Sequence, residues 1–360
     1  MSAKGPGRRT YAVIYAAGAL GAVYLALVHV LSGPSPALRS KMADASRLMA
    51  RAAAAVRDCR AARGLALDLA ADPNGTGLIG LETSPITTSL GRLEAKRTTT
   101  NPRVAGLAVS LLHAAGVRKG DAVAVGASSS FPALIVATLC AIEALEAEPL
   151  VISSLGSSEW GANDPAFFWL DMEDCLRAAG LFEFRPVALA LGGEEDVGRD
   201  MDPAGRALLA ERVRGRGVPL LEEPDLARNV AARMRLYRER AGGRPIKAFV
   251  NIGGSYANIG TSAEVLKLRP GLAGGVPIPP PAQRGALQAM AAAGVPVVHL
   301  LNIKGLCERY GLPWDPRPLP GPGGEGAFDA AAGGAPLPAA LPAGYILLVA
   351  AVLAAGRRRL

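Results

Sequence analysis

The chain has 360 residues, of which 50% are hydrophobic, 19% charged and 5% aromatic, and its net charge is +8. No basic run is interleaved with aromatics, which argues against nucleic acid as a partner. The four cysteines form no CxxC pair, so no zinc site is expected, nor any other metal or cofactor.

Residues 1–10 make a basic tail with Lys4, Arg8 and Arg9, followed by an uncharged run at 11–31. That run is long enough to span a bilayer core as a transmembrane helix. It is long for a cleaved signal peptide, and Gly33-Pro34 is a poor cleavage context, so it reads as a retained anchor. Ala17 with Gly21 and Gly18 with Ala22 place small residues four apart, as close helix packing requires.

Residues 38–71 predict a helix, with Gly64 as a break, and Asp72-Pro73-Asn74-Gly75 predicts a turn. A short apolar stretch at 78–81 leads into hydroxyl-rich segments at 83–89 and 98–101. Regular alternation follows. Helix is expected at 102–115, strand at 121–126, helix at 132–146 with Pro132 in its first turn, and strand at 149–153. This βαβ unit implies a right-handed crossover and parallel pairing. Further helices are expected at 171–179, 202–214, 225–240 (with Asp225 as N-cap) and 284–293. Strands are expected at 185–190, 218–221, 247–252 and 295–300.

The fold class is therefore α/β, with a mostly parallel, doubly wound sheet in a domain spanning 38–312. Residues 313–336 are rich in Pro and Gly and read as a linker. A second uncharged segment at 337–355 predicts another span, and the tail 356–360 carries Arg357, Arg358 and Arg359. The basic ends place both termini in the cytoplasm and the central domain outside the cell membrane, although Arg39, Lys41, Arg47 and Arg51 oppose that assignment. Cys59, Cys140, Cys175 and Cys307 then read either as one or two disulfides or as buried thiols.

Ligands of open parallel sheets bind at the carboxyl ends of the strands. Three polar loops fall there. The first holds Ser128, Ser129 and Ser130 ahead of a helix N-terminus, a plausible anion site but no Walker loop. The second holds Ser153, Ser154, Ser157, Ser158, Trp160, Asn163 and Asp164. The third holds Asn251, Gly253, Gly254, Ser255 and Asn258. Each is expected to bind ligand, against the alternative of self-satisfied turns. A hydrolase reading also exists: 126–130 partly matches G-x-S-x-G, giving Ser128, Asp171 and His299 in the order of α/β-hydrolases. Ser130 stands where the second glycine should be, which weakens it.

The segments Trp160-Gly161-Ala162-Asn163-Asp164-Pro165, Trp169-Leu170-Asp171-Met172-Glu173, residues 126–132 and Phe249-Val250-Asn251-Ile252-Gly253-Gly254 together resemble the bacterial poly-gamma-glutamate system protein family over roughly 5–310. The resemblance implies a membrane-anchored accessory component of capsule-type poly-γ-glutamate synthesis or export. It also implies partners among that machinery's membrane proteins and the acidic polymer itself. It brings no catalytic residues with it. An extracytoplasmic serine hydrolase or amidase acting on the polymer, or on another cell-envelope amide, is the alternative.

Overall fold

The computed structural model describes residues 8–32, 34–324 and 340–357. In chain order its elements are α1 (Arg8–Ser32), α2 (Pro36–Ala62), β1 (Thr87–Ser89), α3 (Leu93–Thr99), α4 (Arg103–Ala114), β2 (Ala122–Ser128), α5 (Pro132–Ala144), β3 (Glu148–Ser154), β4 (Ser157–Ser158), β5 (Asn163–Asp164) and β6 (Phe167–Phe168). There follow α6 (Trp169–Ala178), β7 (Ala188–Ala190), α7 (Pro203–Arg214), β8 (Leu220–Leu221), α8 (Leu226–Ala241), β9 (Ile246–Ile252), α9 (Tyr256–Ile259), β10 (Gly271–Ala273), α10 (Ala286–Ala292), β11 (Val297–Leu300), α11 (Ile303–Tyr310) and α12 (Ala340–Arg357).

Two units emerge, one from the two chain ends and one covering residues 36–331. In the first, α1 and α12 pack on each other, and Tyr24 stacks on Tyr345 with ring centroids 4.3 Å apart. Gly21 admits the Tyr345 hydroxyl, which a Cβ there would meet at 3.3 Å. These helices cover the expected first span and most of the second. Among the described residues, however, no helix is long and apolar enough to cross a membrane. Residues 337–339 of the expected second span, and the side chains of 26–31 in the first, lie outside the described residues.

In the second unit a seven-stranded sheet runs β10-β11-β9-β2-β3-β7-β8, parallel except for the antiparallel edge strand β10. Residues alternate between its two faces as the strand period requires. Val123, Val125 and Ala127 of β2 face one core with Val151 of β3 and Val250 of β9. Ala122 and Ala124 face the other with Leu150, Ile152 and Phe249. Helices α2, α4, α5, α6, α7 and α11 bury their apolar sides in the first core, and α8 and α10 in the second. The chain moves outward from β2 through β3 and β7 to β8 with its helices on one face. It returns through β9 to β11 with them on the other, as right-handed crossovers demand. The order reverses between β2 and β9, so their carboxyl ends flank the crevice where such sheets bind ligands.

The expected helix at 38–71 ends at Ala62, because Gly64 takes a φ of +72° and opens an irregular segment. The turn at 72–75 forms, with the Gly75 amide donating to the Asp72 carbonyl at 2.9 Å. Asp225 caps α8 by accepting from the Arg228 amide. Residues 313–324 are not a free linker. The Arg97 guanidinium forms two bonds to Asp315, at 2.6 and 2.7 Å, and holds that carboxyl below its usual range. Asn74 and Arg103 bond the carbonyls of Pro316 and Gly321. The rest of the expected linker, 325–336, lies outside the described residues.

Cys59 on α2 and Cys175 on α6 form a disulfide with Cα atoms 6.0 Å apart, while Cys140 and Cys307 are buried thiols. Two ion pairs flank it, Arg60 with Asp164 and Arg63 with Asp171, both at 2.7 Å. A second clamp sits at the sheet's carboxyl end. Arg233 of α8 and Asp196, both fully buried, pair at 2.6 Å. Removing one partner of such a pair strands a charge away from water. Arg233→Met is expected to lower unfolding stability by about 3–5 kcal/mol in denaturant melts, far more than a surface Arg→Met control.

Candidate functional site

A cleft of about 560 Å³ opens at the carboxyl ends of the strands, over the β2/β9 switch point. One wall is the turn after β2, where the Phe131 amide donates to the Ser128 carbonyl at 3.1 Å and the Ser130 amide to Ser128 Oγ at 3.3 Å. The opposite wall is the turn after β9. There Gly253, at φ +72°, leaves room only for itself, since a Cβ would lie 3.0 Å from Ser128 Cβ. Gly254, Ser255 and Tyr256 continue that wall. Asn302 and Lys304, at the start of α11, close one end. Short strands β1 and β4 pair in parallel and bring Ser89 beside Ser158 at the other.

Of the residues expected to bind ligand, Ser128, Ser130, Ser158, Gly254 and Ser255 line this cleft. Ser255 Oγ is buried with no hydrogen-bond partner among the described residues. The others have structural duties. Ser129 passes its carbonyl to the Ala162 amide and to Ser157 Oγ. Ser153 is buried inside the sheet, and Ser154 Oγ donates to Asp196 at 3.1 Å. Trp160 is half-buried at φ +60° and exchanges backbone bonds with Gly80 and Leu81. Asn163 grips both backbone groups of Leu81, and Asp164 is taken by Arg60. Asn251 donates to the Gly253 carbonyl, and Asn258 lies beneath Gly126, where a Cβ would come within 2.6 Å of its amide.

The relay of Ser128, Asp171 and His299 required by the alternative hydrolase reading does not form. Asp171 accepts from Arg63 at 2.7 Å, Arg212 at 2.6 Å and the Phe168 amide at 3.2 Å, so two guanidiniums and a helix start neutralise it. His299 Nδ1 faces Asn251 Nδ2 at 3.0 Å, and burial pushes its imidazole down to about 4, leaving it neutral. It serves the sheet as a satisfied core residue.

Lys96 is not among the residues singled out from sequence. It sits on α3, only 3% exposed, in a stretch to which no element is assigned from sequence. Its ammonium group reaches Ser158 Oγ at 2.7 Å and the Ser130 carbonyl, and it lies 3.9 Å from the centroid of the Phe131 ring. Burial lowers its pKa to about 7, against a smaller upward pull from Glu159. Arg92 and Lys304 add two exposed cations to the lining, and among the described lining residues the one carboxylate is Asp200. With the first turn of α5 beside Ser130, the cleft favours negative charge.

A lysine whose folded pKa lies below its unfolded value penalises the fold while it is charged. The penalty is full below pH 7 and disappears as pH rises towards 10.5, where the unfolded state also loses the proton. Lys96→Met lacks this penalty. Denaturant melts between pH 7 and 10 should show wild type gaining on the variant by about 1 kcal/mol per pH unit.

Comparison with family models, with curated proteins and with solved structures finds no match to this chain.

Proposed function

We propose that this chain is an accessory membrane protein of poly-γ-glutamate synthesis or export. On this reading α1 and α12 hold it in the bilayer, and the domain between them lies outside the cytoplasm and takes the acidic polymer into the strand-end cleft. The observation that carries the reading is the lining itself: Lys96, Arg92 and Lys304, with serine hydroxyls from three loops, against the lone carboxylate of Asp200. A polymer of carboxylates spaced along amides would find cations for its charges and hydroxyls for its carbonyls. The sequence resemblance points to the same polymer. The Cys59–Cys175 disulfide supports an oxidising compartment, where such bonds persist.

The full chain in detergent should quench or shift its tryptophan fluorescence when poly-γ-glutamate is added at low salt, since Trp314 lines the cleft. Affinity should fall as salt rises. Reversing both rim charges, Arg92→Glu with Lys304→Glu, should weaken binding by roughly tenfold, because each exposed pair contributes on the order of 0.5–1 kcal/mol. Absence of binding at low salt, or binding indifferent to both reversals, would remove the polymer reading.

Compartment has its own test. In cells Cys59 and Cys175 should resist alkylation until a reductant is added, and Cys59→Ala should cost about 2–5 kcal/mol of domain stability. Free alkylation of both thiols in the native host would place the domain in the cytosol.

A further inference from the structure

We propose that Ser158 and Lys96 form a nucleophile–base pair that cleaves an amide or ester whose acyl portion carries a carboxylate. The inference goes beyond polymer binding and does not depend on it, since any such acyl compound fits the same lining.

Geometry carries the proposal. Ser158 Oγ lies 2.7 Å from Lys96 Nζ, and the serine, 6% exposed, lines the cleft. The serine is held from three sides. Its amide donates to Ser130 Oγ at 2.9 Å, its carbonyl accepts from the Gly161 amide at 3.1 Å, and Ser157 Oγ donates to the same carbonyl at 2.9 Å. Gly161 makes this closeness possible, because a Cβ there would stand 2.8 Å from Ser130 Cα. Lys96 is equally fixed. The Phe131 ring covers one side, and the Ser130 carbonyl takes one N–H. Among the described residues no carboxylate lies within ion-pair distance of Lys96. The charged or titratable groups around it are Glu159, whose carboxylate accepts from the Gly91 amide at 2.8 Å, and Arg92, Asp200, Tyr256 and Lys304 in the lining.

A buried lysine lacking a counter-ion has a large part of its population neutral near pH 7. A neutral amine offers a lone pair and two N–H groups. The lone pair can accept the Ser158 O–H while one N–H donates to the Ser130 carbonyl, and the second N–H is left beside the face of the Phe131 ring, so the pair holds together without a charge. The reaction then balances within the pair plus water. Ser158 Oγ attacks the acyl carbonyl carbon as its proton passes to Lys96 Nζ. The tetrahedral adduct collapses, the C–N or C–O bond breaks, and the leaving amine or alcohol takes that proton. Water then attacks the serine ester, giving its proton to Lys96 and releasing the acid, after which Lys96 returns the proton to Ser158. Arg92 and Lys304 sit in the same cleft, placed to hold a carboxylate of the acyl group.

The test is phosphonylation of the full-length chain by a fluorophosphonate, read by peptide mapping between pH 6 and 9. Ser158 should be the modified residue. Its labelling rate should rise about tenfold from pH 6 to 8 as Lys96 loses its proton. In Lys96→Met the rate should drop by at least about a hundredfold, the usual scale of a general base, with folding checked by thermal melt. Should that variant fail to fold, the wild-type map and pH profile decide alone. An unmodified Ser158 at pH 9, a rate flat across pH 6–9, or a folded Lys96→Met labelled at the wild-type rate would each overturn the pair. Added poly-γ-glutamate should slow the labelling. Labelling that proceeds unslowed leaves the pair standing and takes the polymer out of the cleft, whereas polymer binding with Ser158 inert does the reverse.

Discussion

A guanidinium sealed from water holds the carboxyl end of this sheet together. Arg233 donates to Asp196 Oδ2, to Asn229 Oδ1 at 2.9 Å and to Asn258 Oδ1 at 3.4 Å, while Asp196 also accepts from Ser154 and Asn229. Each partner belongs to a different piece of chain: the end of β3, the turn after β7, α8 itself and α9 after β9. These are the two arms that diverge at the switch point. An unpaired charge at that depth would cost several kcal/mol, so the arms can separate only together. Asp196 accepts the strain of a positive φ to reach its partners, which is tolerable only because the surrounding bonds over-determine it. The cleft is thus a crevice with a fixed floor.

On that floor the walls are built from close backbone approach. Gly126 yields to Asn258, Gly161 to Ser130 and Ser157, and Gly253 to Ser128. A side chain at any of the three would push apart the turns that carry the hydroxyls. The loops look glycine- and serine-rich because space is scarce there. Several of the hydroxyls the space permits, those of Ser154 and Ser157 among them, are spent on the scaffold.

This explains what could be read in advance. The strands β2, β3 and β9 stood out because each is a short apolar run bounded by turns, and their crossover helices followed from period and caps such as Asp225. The edge strand β10 carries no such pattern: Gly271, Leu272 and Ala273 pair antiparallel with β11, and only Leu272 and Ala273, both partly buried, add side chains to the cores. At the site, the reading found the right loops and the wrong division of labour. Asn163 and Asn251 look like ligand-binding amides in sequence, but both are committed to backbone: Asn163 ties down the distant Leu81, and Asn251 bonds the Gly253 carbonyl two residues on, as Asn does in turns. Asp171 and His299 were in the expected chain order but found other partners. Lys96 was illegible because burial is a tertiary property. Nothing in Ala95-Lys96-Arg97 distinguishes the lysine that enters the core from the arginine that meets Asp315.

The burial of Lys96 is also the feature least explained by stability. The fold bears a desolvation cost for an amine that, among the described residues, has no carboxylate within ion-pair distance and only the weaker pull of Glu159, where an apolar side chain would fill the space against Phe131. Arg97, next in the chain, shows the alternative, a guanidinium with a bidentate carboxylate. Two adjacent cations on one short helix therefore meet opposite treatment. The one that is paired pins residues 313–324 to the domain, and the one left unpaired faces a serine in the cleft. An amine desolvated at a strand-end crevice, bonded to a cleft hydroxyl and to the turn after β2, is the kind of group whose shifted protonation marks functional sites more often than scaffolds.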